Sequence, residues 1–438
     1  MPSNRKKKTA LPVADAPETE TGVPSVEAAP VAAAPAPESS KPQTLQDSVE
    51  PSGEEELKKE ERRRKWLLLL LLLLLLLLCC VCGLFYRYMT RPAPLPEIVP
   101  VANPSYPPHY LFSVYGVDEP VGVTVSPDGQ RFYVAETGGD RLVKAFTRGG
   151  DPLFSFTPPS TSPGQRSPVY LAADSQGRVF VTDRLQNAIF VYDADGNYLD
   201  TILSPKLSLN QYVASQIGGM PAGTVFHYNV FEQKAHYTLP GQSDQIVAPP
   251  QVPSWDPLGV RFDAQGDLWL TDVNGENHII RKFAAADLSV WPNLFFAPAE
   301  LTFGATGQGE GQLLFPNVAV TDSQGRIFIS DGNNGRVSAW DENGKFLFEF
   351  GRGTGDGALS LPRGMFMDGH DRLHIVDAVG QDVKVYDVSG PEPVFLYAFG
   401  DWGLDDGLFN YPNDIALDQT GRLYIADREN NRIQVWSY

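Results

Sequence analysis

The sequence predicts an all-β domain, a six-bladed β-propeller, that follows one transmembrane helix and a disordered N-terminal tail. Two observations support this prediction. Six segments between residues 110 and 438 repeat one pattern of strands and turns, and residues 66–86 form an apolar run without a charge. A recurring strand pattern is typical of propellers, whereas about 20 consecutive apolar residues are typical of a membrane-spanning helix.

The first 57 residues are rich in Ala, Pro, Glu, Ser and Thr and show no apolar period. Such a segment cannot bury enough apolar surface to offset its chain entropy, so we expect a disordered tail. The net charge of the chain is −18, and basic and acidic residues balance up to Pro100, with 13 of each. The negative charge therefore belongs to the rest of the chain, which argues against a nucleic-acid partner.

The apolar run of residues 66–86 contains twelve consecutive leucines. A helix of this length is about 30 Å long and matches the hydrocarbon core of a lipid bilayer, whereas a soluble core helix would keep a polar stripe. Six basic residues lie in the juxtamembrane segment 58–65, so the positive-inside rule places the tail in the cytoplasm and the propeller outside. We expect a retained signal anchor in a single-pass cell-membrane protein, because the run lies far from Met1 and lacks a small-residue cleavage site.

A proline-rich stalk is predicted between the helix and the propeller. Seven prolines fall within residues 87–109, and spaced prolines favour an extended polyproline conformation. All three cysteines lie in the apolar run, so the domain at 110–438 has neither a disulfide nor a cysteine zinc site.

Each repeated segment opens with a proline and an alternating strand, passes through a tight turn, and ends with a second strand whose last residue is acidic. Third and fourth strands follow in most segments, which makes the four-stranded blade of a propeller. The sixth segment lacks its fourth strand, but residues 110–116 match the fourth-strand pattern of residues 346–351. We therefore expect this N-terminal strand to close the last blade, which removes an open sheet edge.

One interval breaks the repeat, and we assign residues 205–254 to an insertion in the propeller. Two alternating runs, 224–231 and 235–239, flank three polar residues and predict a hairpin. A degenerate seventh blade is the alternative.

The Pro-x-Gly opening, the Gly-Arg turn and the hairpin motif Asp-x-x-Asn-x-Arg resemble the NHL-repeat family. The hairpin motif occurs at residues 331–336 and 427–432. The resemblance covers residues 110–438 and implies an NHL-type propeller. It implies less about function, because similar propellers include binding modules, a zinc-dependent peptide-amidating lyase and calcium-dependent lactonases.

One acidic residue recurs at the end of the second strand in every blade. Because recurrence argues against catalysis, we expect these carboxylates to accept backbone hydrogen bonds in the second hairpin. They are Glu136, Asp183, Asp272, Asp331, Asp377 and Asp427.

The sequence favours a non-enzymatic binding or scaffold module that holds a protein, peptide or glycan outside the membrane. The candidate contacts lie in blade-to-blade loops, although each could be an ordinary solvated residue: Trp402, Leu404, Asp405, Asp406, Asp356 and Glu310. The alternative is a metal-dependent lyase or lactonase with its site in the central channel. No cofactor is predicted. Histidines do not recur at equivalent positions of successive blades, which argues against a zinc or calcium site in the channel, and His278 and His374 are only weak candidates for one.

Overall fold

The computed structural model describes residues 53–90, 106–205, 207–219, 221–229, 234–247, 255–275, 277–288 and 300–438. The predicted tail up to residue 52 and the stalk residues 91–105 lie outside these ranges.

The N-terminal helix α1 (Gly53–Thr90) is longer than the predicted span of residues 66–86. It includes the basic segment 58–65 and the last residues assigned to the tail, because Glu, Lys, Arg and Leu are all strong helix formers. Within it, Leu57–Phe85 contains an 18-residue window with a mean hydropathy of 3.4 and is long and apolar enough to cross a membrane. Its leucine side chains are exposed, so they do not pack as a soluble core helix would.

The strands form six sheets in a ring. The chain enters with β1 (His109–Val114) and then builds blades 1 and 2. Blade 1 contains β2 (Pro120–Val125), β3 (Arg131–Glu136), β4 (Val143–Thr147) and β5 (Pro152–Phe156). Blade 2 contains β6 (Pro168–Ala173), β7 (Val179–Asp183), β8 (Ala188–Tyr192), β9 (Tyr198–Ser204) and a short fifth strand, β10 (Leu207–Ser208).

The insertion follows blade 2. It contains α2 (Leu209–Ile217), β11 (Val225–Asn229), β12 (Lys234–Thr238) and β13 (Gln245–Val247). The strands β11 and β12 pair antiparallel as the predicted hairpin, and β13 adds a third strand. This small sheet is separate from the six blades, so the insertion is not a seventh blade.

Four further blades complete the ring. Blade 3 contains β14 (Pro257–Phe262), β15 (Leu268–Asn274), β16 (Asn277–Phe283), the short helix α3 (Ala285–Leu288) and β17 (Leu301–Phe303). Blade 4 contains β18 (Pro316–Thr321), β19 (Ile327–Asp331), β20 (Arg336–Trp340) and β21 (Phe346–Phe350). Blade 5 contains β22 (Pro362–Met367), β23 (Arg372–Asp377), β24 (Asp382–Asp387) and β25 (Val394–Phe399). Blade 6 contains β26 (Pro412–Leu417), β27 (Arg422–Asp427) and β28 (Arg432–Ser437).

The ring closes as predicted. Strand β1 pairs antiparallel with β28, from His109 opposite Ser437 to Val114 opposite Ile433, and supplies the outer strand of blade 6. The innermost strands β2, β6, β14, β18, β22 and β26 contact one another in that order around the ring. The sequence prediction of a six-bladed β-propeller is therefore confirmed.

Neighbouring blades cover both faces of each sheet, and the apolar core lies between the blades. The second and third strands of blade 2 illustrate this burial of both faces, because every residue of β7 and β8 is buried. Side chains on both sides of these strands therefore leave water, which stabilises a stack of sheets that would each be unstable alone.

The glycine of the Pro-x-Gly opening allows the innermost strands to approach closely. A Cβ atom at Gly122 would lie 2.2 Å from the carbonyl oxygen of Val169, and one at Gly259 would lie 1.6 Å from that of Asn317. These separations are far below van der Waals contact. The motif is thus a packing requirement of the ring.

We predict that Gly259→Ala destabilises the propeller by about 1–3 kcal/mol or more, because the new methyl group must push the backbone of blade 4 outward. Urea unfolding of the purified chain measures the effect. Gly369→Ala is the matched control, since a Cβ there meets nothing within 4 Å. Equal unfolding midpoints for the two variants would contradict the close-packing explanation.

Candidate functional site

The blade-to-blade connections, which carry the predicted contact residues, all lie on one face of the propeller. In each blade the start of the first strand pairs with the end of the second, as Pro120 does with Glu136. The blade-to-blade connections and the turns between second and third strands therefore lie at the same end of the blades. We call this end the connection face.

The recurring carboxylates lie at this end and are at most 1% exposed. Each accepts a backbone hydrogen bond, as predicted. In blades 2, 3 and 5, backbone N–H groups of the second hairpin donate to Asp183, Asp272 and Asp377, as expected. In addition, each of the six carboxylates accepts a hydrogen bond from a residue that precedes the first strand of its blade. The donors are Asp118, Ser167, Asp256, Leu314, Ser360 and Asn410, at 2.6–3.0 Å.

Side chains of the second hairpin complete this arrangement in blades 4 and 6. Asn334 Nδ2 and Arg336 Nε donate to Asp331 Oδ2 at 2.7 and 2.8 Å. Asn430 and Arg432 repeat these contacts with Asp427, at 2.9 and 2.7 Å. The Asp, Asn and Arg of the hairpin motif therefore form one hydrogen-bonded cluster, which explains their spacing.

Asp183 differs from its equivalents. Its oxygens accept backbone hydrogen bonds from Ser167, Leu185 and Gln186 at 2.9–3.0 Å, but no basic side chain within the described ranges forms an ion pair with it. Burial therefore dominates and raises the pKa of Asp183 to about 6.

The predicted loop residues lie on three successive connections of the connection face. Trp402 and Leu404 are 66% and 69% exposed, and the four carboxylates are exposed as well: Asp405, Asp406, Asp356 and Glu310. The hairpin motif of blade 6 contacts the loop that carries Asp405, since Arg432 Nη2 donates to the carbonyl oxygens of Asp405 and Leu408, both at 2.7 Å. The role of these residues in binding stays a prediction.

The two histidines proposed as metal candidates have other partners. His278 Nδ1 accepts a hydrogen bond from the backbone N–H of Phe315 at 3.1 Å. His374 is fully buried near the opposite end of blade 5, between Asp368 and Tyr438, with both contacts at 3.3 Å. The fold does not bring them together, and across the described ranges no group of three or more His, Cys, Asp and Glu side chains could hold a metal ion.

A cavity of about 340 Å³ opens at the centre of the connection face. All six blades contribute to its wall through the first residues of their innermost strands and the residues just before them. Its wall carries four arginines, Arg141, Arg184, Arg363 and Arg428, and one carboxylate, Glu119. This balance of charge is the reverse of that of the whole chain.

Buried polar side chains form the inner wall of this cavity. Tyr170 is 1% exposed, and its hydroxyl lies 3.3 Å from Asn413 Nδ2 and 3.5 Å from Asn317 Oδ1. Further along the innermost strands, Arg261 of β14 forms an ion pair with the fully buried Asp414 of β26, so a buried charge pair joins blades 3 and 6.

The backbone around the cavity is strained. Glu119, Phe315 and Tyr411 have φ values of 44°, 58° and 54°, although each is bulky and precedes a proline. Residues before proline favour extended conformations, and left-handed conformations of bulky residues are rare. Such outliers persist only where the surrounding structure fixes them, and they cluster at functional sites. All three residues line the cavity.

Sequence reasoning missed these cavity residues, because the arginines do not recur in every blade. A positional signal was present, however. Arg184 and Arg428 directly follow the buried acids Asp183 and Asp427, and Arg363 directly follows the proline that opens a first strand. In blades 2, 5 and 6, residues adjacent to the recurring proline or acidic residue therefore line the cavity.

A family model described as NHL repeat matches residues 409–436, which span most of blade 6. The domain is a six-bladed β-propeller whose last blade matches the NHL-repeat model. Among curated relatives, protein brain tumor of Drosophila melanogaster is 29% identical over 33% of this chain and 12% of its own length. NHL repeat-containing protein 3 of Mus musculus is 27% identical over 27% of this chain and 37% of its own length. Peptidylglycine alpha-amidating monooxygenase of Rattus norvegicus is 24% identical over 42% and 23%.

The matched regions thus span at most 37% of the length of these relatives. Among solved structures, a streptogramin B lyase is 11% identical, with a TM-score of 0.46 over 75% of this chain and 98% of the lyase.

We predict that Asp183 makes the stability of the propeller depend on pH. Between about pH 4 and 6 the folded chain keeps a proton on Asp183 that the unfolded chain releases, so the free energy of unfolding falls as pH rises and levels off above pH 6. The loss amounts to about 3 kcal/mol relative to Asp183→Asn. Urea unfolding from pH 4 to 7 measures it.

The exposed Asp356→Asn serves as the control for this titration and keeps the wild-type slope. Parallel pH profiles for the wild type and Asp183→Asn would show that Asp183 does not titrate in this range.

Proposed function

We propose that this protein is a membrane-tethered, extracytoplasmic binding module whose NHL-repeat propeller holds a protein, peptide or glycan in the cavity of the connection face. The cavity carries this proposal. It collects side chains from all six blades at one point, among them polar side chains from blades 1, 2, 5 and 6, and its wall includes three residues with strained backbone conformations.

The lining of the cavity favours binding over catalysis. Its side chains include neither a histidine nor a cysteine, and the lining carboxylate of Glu119 lies 3.2 Å from Arg428 Nη2. Its arginines, its tyrosines and Asn413 are typical of sites that recognise a ligand through charge and hydrogen bonds.

The membrane tether is supported by α1. Its apolar segment has the length of a bilayer span, and the basic residues at 58–65 precede it. By the positive-inside rule, we place the N-terminal tail in the cytoplasm and the propeller outside the cell membrane.

This orientation is tested by labelling a chain in which the three cysteines of α1 are replaced by serine. A membrane-impermeant maleimide is expected to label Ser175→Cys, in an exposed propeller turn, on intact cells. It should label Ser39→Cys, in the tail, only after the cells are made permeable. The reverse pattern, or no labelling of Ser175→Cys before permeabilisation, would contradict the proposed topology.

Binding at the cavity is tested with a photo-crosslinking amino acid at Ser167, which lines it. Illumination of intact cells is expected to give a discrete covalent adduct. The same amino acid at Gln176 is the matched control, because this exposed residue lies in a turn at the opposite end of the same blade. The same adduct from both positions, or none from Ser167, would overturn the proposed site.

A further inference from the structure

Two of the four cavity arginines already have carboxylate partners. Arg184 Nη2 lies 2.9 Å from Asp256 Oδ2, and Arg428 Nη2 lies 3.2 Å from Glu119 Oε2. Each also lies over an aromatic ring of the cavity wall, Arg184 over Phe315 at 5.2 Å and Arg428 over Tyr411 at 5.9 Å. Stacking of this kind attracts the cation to the ring and helps to fix its position.

Arg141 and Arg363 contact only neutral acceptors in the described part of the chain. Arg141 donates to carbonyl oxygens, through Nε to Thr137 at 3.2 Å and through Nη1 to Arg166 at 3.2 Å. Arg363 donates through Nη1 to Asn317 Oδ1 at 3.0 Å and through Nη2 to Tyr411 Oη at 3.4 Å. Their two positive charges are therefore not neutralised by an ion pair.

Arg363 also has an unused donor. Its Nε is buried and has no hydrogen-bond partner within the described residues. A buried donor without a partner costs free energy, and an acceptor that enters the cavity would recover it. An anionic acceptor would recover more, because hydrogen bonds between ions are stronger than those between neutral groups.

From this arrangement we infer that the cavity binds the carboxylate groups of a short acidic peptide segment, an inference that rests on the proposed binding function. The planar guanidinium presents paired donors whose spacing matches the two oxygens of a carboxylate. Two such groups, Arg141 and Arg363, therefore suit a segment with two neighbouring acidic side chains. The cavity of about 340 Å³ has room for side chains of this size.

The surrounding loops favour a short anion over a long one. Exposed carboxylates lie on three connections of the same face, at Glu310, Asp356, Asp405 and Asp406. A nucleic acid that entered the cavity would have to carry its phosphates across these negative groups, which repel it. A peptide can place its acidic side chains in the cavity and neutral or basic residues on the loops.

The inference is tested by fluorescence anisotropy with the full chain in an uncharged detergent. The probe is a labelled peptide, Gly-Gly-Glu-Glu-Gly-Gly, acetylated and amidated so that its two side chains carry its only carboxylates. We expect it to bind at least tenfold more tightly than the glutamine counterpart, and more weakly as salt is raised.

Arg363→Ala and Arg141→Ala are each expected to lower the affinity for the glutamate peptide about tenfold. Arg352→Ala is the matched control and should bind like the wild type, because Arg352 is an exposed arginine on a connection of the same face, outside the cavity wall. Unfolding temperatures identify any variant that fails to fold, and the other cavity variant then decides.

Three results would overturn the inference. The first is equal binding of the glutamate and glutamine peptides, and the second is unchanged affinity for the glutamate peptide in a folded cavity variant. The third is a thymidine hexanucleotide that binds more tightly than the glutamate peptide and loses affinity in the Arg141→Ala and Arg363→Ala variants. If a crosslinked adduct forms from Ser167 but any of these results is found, the proposed binding function stands and only the acidic ligand is rejected. If no adduct forms from Ser167 and the peptide assay also gives one of these results, both the binding function and the acidic ligand are rejected.

Discussion

The propeller depends on a buried carboxylate at the connection-face end of each blade. This single side chain ends the second strand and accepts a hydrogen bond from the backbone that leads into the first, and in five blades a cation on or next to the third strand approaches it as well. Three strands are thereby joined at one point. A buried charge is stable only while its partners stay in place, so opening this end of a blade strongly destabilises it. The blade is therefore held by polar contacts at its end as well as by apolar packing along its length.

The same contact shapes the cavity. The backbone N–H groups of Leu314 and Asn410 donate to Asp331 and Asp427, and the next residues in the chain, Phe315 and Tyr411, have the left-handed conformation that directs them to the cavity wall. Asp118 and Glu119 repeat this relation in blade 1. The strain at these residues thus has a local cause, since the carboxylate fixes the residue before and the proline fixes the residue after. The structural repeat and the cavity wall are thus built from adjacent positions.

The sequence was sufficient for the fold, because a propeller is specified by what its blades share. The opening proline, the turn glycine and the acidic second-strand end recur in every blade, and the match of residues 110–116 to a fourth strand predicted the ring closure. It was not sufficient for the cavity, which depends on what the blades do not share. Arg141 follows a second strand in one blade and Arg363 begins a first strand in another, so only the closed ring brings them together. The extent of α1 was also underestimated, because hydropathy detects the apolar run and not the charged helix that continues it.

The pairing of β1 with β28 has a consequence for biosynthesis. The strand that the ribosome makes first in the domain finds its partner only in the strand made last, so the circle stays open until synthesis of the domain is almost complete. Blades 1 to 5 can form in order meanwhile, but Tyr411, Asn413 and Arg428 of blade 6 are still missing from the cavity wall. Until blade 6 is made and paired with β1, a nascent chain therefore lacks a complete cavity wall.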